Sequence, residues 1–145
     1  MNRGTLVLCL AASISAPGMI AQAQSASTAP SAASGRCFEL RTYTTNPGKL
    51  DALNARFKNH TIQLFKKHGI EVVGFWVPTD KEAGAGDKLV YLLAFPSREA
   101  AEASWKAFRA DPAWVAVRSA SEADGAIVAK VESVFLAPTD YSSLK

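Results

Sequence analysis

From Arg36 to Thr44 apolar and polar positions alternate. Phe38, Leu40 and Thr42 fall on one side, Glu39, Arg41 and Tyr43 on the other, which is the period of a strand. The period then changes. Leu50, Leu53, Phe57, His60 and Leu64 recur at spacings of three and four, marking one face of a helix. Asn46 is placed as its N-cap and Pro47 as its first residue, where no amide hydrogen is needed. Lys66, Lys67 and His68 occupy its last turn, where the helix dipole favours cations, and Gly69 supplies the stop. Ile70 to Val77 is β-branched and aromatic and reads as a second strand, ended by Pro78. The polar stretch Thr79–Asp87, with two glycines, is a loop. Leu89–Phe95 follows as a third strand, apolar on both sides. Ser97 caps a second helix whose buried face carries Ala101, Trp105 and Phe108. Asp111-Pro112 ends it and starts a short helix with Trp114 and Val117 inward, and Lys130–Ala137 is the last strand.

The order strand, helix, strand, strand, helix, strand predicts an α+β, ferredoxin-like βαββαβ fold, an antiparallel four-stranded sheet with helices on one face. The other face is then open, and the apolar central strands would expose it in a monomer. A homodimer that pairs two such sheets, closing a dimeric α+β barrel, is the expectation.

The front of the chain has a different character. A basic start, Met1-Asn2-Arg3, precedes the apolar run Thr5–Ile14, a Pro17-Gly18 break and Ala21-Gln22-Ala23. This is the pattern of a secretory signal peptide over residues 1–23, cleaved after about Ala23. The run is shorter than the roughly 20 residues a spanning helix needs, so no stable membrane insertion of the mature chain is expected, and its place is periplasmic or secreted. Residues 24–35 are Ser/Ala-rich without a large apolar side chain and are expected to be a disordered linker. The folded domain is placed at 36–142, with 143–145 as tail. The net charge of +3 comes from 16 basic and 13 acidic residues, interspersed and without a basic run, so nucleic acid is not an expected partner. Of two cysteines only Cys37 remains after cleavage, so the mature domain has no internal disulfide. Cys37 reads as a small buried residue or as a free or cross-linking thiol.

Five stretches in order, FELRTYTTNPGKL, KKHGIEVVGFW, LVYLLAF, WKAFRADPAW and LAPTDYS, resemble the NIPSNAP family across nearly all of Arg36–Ser142. The resemblance implies the same dimeric α+β barrel. It carries no catalytic set that can be transferred residue by residue. The best-known members are mitochondrial and linked to vesicular transport and signalling. The secretory pattern and single short domain separate this chain from them. The wider barrel superfamily includes small monooxygenases and haem-handling enzymes, which is an analogy of fold alone.

The candidate chemistry centres on Glu39, Arg41 and Tyr43. If their side lines the inner sheet face of a dimer, an acid, a guanidinium and a phenol border an apolar cavity. They could orient a small polar ligand there, with Arg41 on a carboxylate or enolate oxygen. The plainer reading is a Glu39–Arg41 pair that satisfies itself. His60, on the apolar stripe, is a candidate base or a core histidine; His68 belongs to the helix end. No metal pattern, phosphate loop or nucleophile elbow is present in the sequence, and no cofactor is expected. Three functions remain. The first is a dimeric binding module for a small ligand or protein. The second is a cofactor-independent monooxygenase-like enzyme using Arg41, Tyr43 and His60. The third is a structural interaction protein.

Overall fold

The structure, a computed structural model, describes residues 35–145. The expected signal peptide and residues 24–34 of the linker lie outside the described residues. Nine segments follow one another: β1 (Cys37–Thr45), α1 (Leu50–Arg56), a π-helical turn (Phe57–Thr61), α2 (Ile62–Lys67), β2 (Glu71–Trp76), β3 (Lys88–Phe95), α3 (Arg98–Ala110), α4 (Pro112–Ser121) and β4 (Val128–Leu136). The strands form one antiparallel sheet in the order β2-β3-β1-β4. This is the ferredoxin-like arrangement that the periodicity predicts. No helix among the described residues is long and apolar enough to cross a membrane.

The core lies between the sheet and the helices. Leu89, Tyr91 and Leu93 of β3 meet Leu53, Phe57 and Phe65 of the first helical run and Ala101, Trp105 and Phe108 of α3. Aromatic rings interlock through it. Phe65 stands edge-on to Trp105 and Phe108 at 5.4 and 5.0 Å between centroids, and Phe57 to Phe75 at 5.4 Å. Each such pair adds about 0.5–1.5 kcal/mol beyond the area it buries. Ser97 caps α3 by accepting from Ala100 N at 3.2 Å, and Asp111 caps α4 by accepting from Ala113 N at 2.8 Å. Both capped starts follow the expectation from side-chain chemistry.

Two details of the first helical run differ from the sequence reading. Asn46 is not its N-cap. Asn46-Pro47-Gly48 makes a turn closed by Lys49 N donating to Asn46 O at 3.0 Å, with Gly48 at φ 71°, a value glycine adopts without strain. The helix begins at Leu50 behind Lys49. The Asn46 amide instead donates to Ala126 O at 2.7 Å, tying the end of β1 to the approach of β4. The second difference is the π-helical turn, where Ile62 N donates to Phe57 O. The wider turn holds one more residue and shifts the phase of the stripe. Leu53, Phe57, Thr61 and Phe65 are buried, and His60 is exposed. Thr61 stays polar inside because its hydroxyl donates to Arg56 O at 3.2 Å.

The open sheet face carries Phe38, Leu40, Val90, Leu92, Trp76, Val134 and Leu136. The indole of Trp76 lies across Gly74, where a Cβ would sit 2.7 Å from the ring. Trp76 and Val134 remain 53% and 54% exposed. Phe38 is only 5% exposed, because the segment after β4 folds back beside it, with Pro138 and Leu144 in the same groove.

Candidate functional site

Alternation along β1 puts Glu39, Arg41 and Tyr43 on one side, as the sequence predicts, but that side faces the helices. The expected placement, on the inner sheet face of a dimer, is therefore corrected. Glu39 reaches Trp105 of α3, and Tyr43 stands edge-on to Phe57 at 5.9 Å. The apolar residues of β1 are the ones turned to the open face. The polar side can go inside because its charges are compensated there. Glu39 is 1% exposed, and its carboxylate accepts from Arg41 Nη1 at 2.7 Å, Ser133 Oγ at 2.5 Å and Trp105 Nε1 at 2.5 Å. Ser133 is the direct β4 neighbour of Arg41. The Glu39–Arg41 pair expected from the spacing is thus present, and it belongs to the sheet–helix layer.

Arg41 is flanked by rings. Its guanidinium carbon lies 4.3 Å from the centroid of Trp105 and 5.6 Å from that of Tyr43. Tyr91, its direct neighbour on β3, is fully buried. Burial opposes the charge of Arg41, but the Tyr91 and Tyr43 hydroxyls and the Glu39 carboxylate together raise its pKa, so it stays a cation. Burial also pushes the Tyr91 phenol well above its usual value, with Tyr43 adding and Arg41 opposing. Tyr91 is therefore a neutral phenol, and its buried hydroxyl has no hydrogen-bond partner among the described residues.

A cavity of about 320 Å³ opens beside this network, between β1, β4, α3 and α4. Arg41 and Tyr43 line it, and Trp105 and Trp114 form walls. It also receives a residue that the sequence reading missed. Arg56, the last residue before the π turn, is 4% exposed. Its Nη1 donates to Glu122 Oε1 at 2.9 Å and to Ser121 Oγ at 3.2 Å, and its guanidinium stands 5.5 Å from the ring of Trp114. The Nε atoms of Arg41 and Arg56 are both buried without a partner among the described residues. Arg56 had a readable signal, since it stands three positions after Leu53 and next to Phe57 on the apolar stripe. Trp105 had one too, because a buried indole N–H requires an acceptor.

Of the four predicted site residues, Arg41 and Tyr43 line the cavity, Glu39 lies beneath it as the anchor of Arg41, and His60 is elsewhere. His60 borders an open groove with Ala52, Asn59, Ala116 and Val117. The set Arg41, Tyr43 and His60 is not assembled, and the π turn is the reason. His68 Nε2 donates to Asp111 Oδ2 at 2.7 Å, and Lys67 donates to the same oxygen at 2.7 Å, consistent with an end-of-helix role. Cys37 is a half-buried thiol packed against the core. Burial is the main cause that raises its pKa, which makes it a poor thiolate.

No curated protein matches the chain. Solved structures do. A NIPSNAP-like domain protein of Burkholderia xenovorans is 16% identical, with a TM-score of 0.64 over 74% of this chain and 88% of that one. A NIPSNAP family protein of Agrobacterium tumefaciens is 23% identical, with a TM-score of 0.66 over 78% and 96%. A monooxygenase of Streptomyces coelicolor, solved with nanaomycin D, is 16% identical, with a TM-score of 0.54 over 75% and 92%. At these identities the likeness is one of fold. The family model, in contrast, runs from residue 38 to residue 143 of this sequence, and the chain belongs to the NIPSNAP family.

Proposed function

We propose that this NIPSNAP-family protein is a small-ligand binding module that works as an exported homodimer, with the ligand held between sheet and helices in each protomer. The observation that carries this reading is the cavity of about 320 Å³ reached by Arg41, Arg56 and Tyr43. Its volume is at the lower end of the roughly 300–1,000 Å³ usual for ligand sites. Its lining combines four aromatic side chains with five cations and one carboxylate, walls that hold a ligand and polar groups that orient it. Pairing through the open face would cover Trp76, Val134 and Leu136 and leave the cavity free. The Met1–Ala23 pattern supports export.

The monooxygenase-like alternative is less well supported, because its base, His60, lies outside the cavity. Native mass spectrometry of protein purified from its source tests the binding reading. One co-purifying small molecule per chain is expected, and Arg41→Lys should deplete it. A bare chain mass under gentle conditions, with no molecule recovered after extraction, counts against it.

A further inference from the structure

Resting on that cavity as a ligand site, we infer that it takes a planar aromatic anion of one or two rings, a carboxylate or a phenolate, with its charged oxygen on the guanidinium groups of Arg41 and Arg56. The charge of the lining is the first argument. Five cations border the cavity, Arg41, Arg56, Arg109, Arg118 and Lys130, and Glu122 is the one carboxylate among the lining side chains. Including the neighbours they bond, the carboxylates are Glu39, Glu122 and Glu132, which leaves an excess of two positive charges. Arg109 forms no ion pair among the described residues.

The second argument is the open hydrogen-bonding capacity. Glu39 engages Nη1 of Arg41 and Glu122 that of Arg56, and a guanidinium carries five N–H donors, so each pair leaves further donors on its arginine. A guanidinium is suited to carboxylate and related oxyanions. One ligand oxyanion would meet this donor capacity and the charge excess together. Shape is the third argument. Trp105, Trp114 and Phe108 line the same space, and the rings of Phe108 and Trp114 are inclined by only 34° at 4.6 Å. Such walls favour a flat ring over a flexible chain, which would lose rotamer freedom on entry.

Three probes of related shape separate the possibilities, titrated by tryptophan fluorescence and calorimetry. They are 2-naphthoate, its neutral counterpart 2-naphthalenemethanol, and the non-aromatic anion cyclohexanecarboxylate. Binding of 2-naphthoate at least tenfold tighter than either of the others is expected. Arg41→Lys, which keeps the charge but not the planar fork of donors, should weaken 2-naphthoate at least fivefold and leave the neutral probe within twofold. Arg109 is exposed, so Arg109→Gln should fold normally; it should weaken the anion two- to threefold and flatten its dependence on salt. Equal binding of 2-naphthoate and 2-naphthalenemethanol, or tighter binding of cyclohexanecarboxylate, overturns the aromatic anion while the ligand site stands. If none of the probes binds at millimolar concentration but a molecule of another class co-purifies, the inference falls and the site again stands. If nothing binds and nothing co-purifies, both fall.

Discussion

Glu39 illustrates how an ionised side chain can lie at the centre of this fold. Its neighbours supply three donors from three elements, Arg41 on β1, Trp105 on α3 and Ser133 on β4. Removing one member of a buried ion pair typically costs about 3–5 kcal/mol, because the other charge is left uncompensated. Glu39→Gln is therefore expected to destabilise the protein by about that amount in urea unfolding. Trp105→Phe, which removes one donor and keeps most of the ring, should cost less, about 1–3 kcal/mol. Equal losses would mean that Glu39 acts mainly through packing. Tyr91 leads to the opposite expectation. Its hydroxyl is buried and unpartnered among the described residues, so Tyr91→Phe should be neutral or stabilising, by up to about 1 kcal/mol. A clear destabilisation would reveal a bond from Tyr91 to Tyr43 or Arg41.

Among the elements, the first helical run and the α3–α4 junction carry the features least readable in the residue pattern. A helix that looks continuous from Pro47 to His68 contains a π turn, and this single irregularity buries Thr61 and exposes His60. Thr61→Val preserves shape and removes the bond to Arg56 O, so a loss of about 1 kcal/mol is expected by thermal unfolding. At the junction Asp111 joins three elements. Its side chain is 4% exposed, it caps α4, and the hydrogen bonds from Lys67 and then His68 hold its carboxyl well below the usual carboxylate range. A lowered folded-state pKa means that this contribution is fully present above the unfolded value of about 3.9. It is lost as the pH falls below that value. Asp111→Asn keeps a capping side chain but not the charge. It should lower the melting temperature at pH 6 and make the fall between pH 5 and pH 2 shallower than in the wild type. Parallel wild-type and variant curves through that range would show that the Lys67 and His68 contacts carry no stabilising charge.

At the scale of the whole molecule, the open sheet face is the feature a single chain leaves unresolved. Val134 on the edge strand β4 and Trp76 on the edge strand β2 are both about half exposed, with Val90 and Leu92 between them on the same side. Exposed apolar surface of this kind marks an interaction site. Light scattering should give twice the chain mass for the wild type, and Val134→Lys should give the monomer with its fold retained. A monomeric wild type at micromolar concentration would remove the dimer from the proposal and leave the cavity, on the far side of the sheet, unaffected.

Much of this architecture follows from the sequence alone. The periods of two and of three to four define the strands and helices and their order, and five ordered stretches signal the family. Alternation also divided β1 correctly into a polar and an apolar side. It did not say which side the helices would cover. β3 is apolar on both sides, so hydrophobicity offered no contrast to decide the question. The choice was made by contacts between residues distant in the chain. Trp105, 66 positions from Glu39, supplies the donor that allows the carboxylate to be buried. Glu122, 66 positions from Arg56, does the converse for a helical arginine that alone would remain in water. Local pattern determines which residues share a face. Only the tertiary structure determines which charges meet, because the cost of burying each is offset by a partner that the local pattern does not contain.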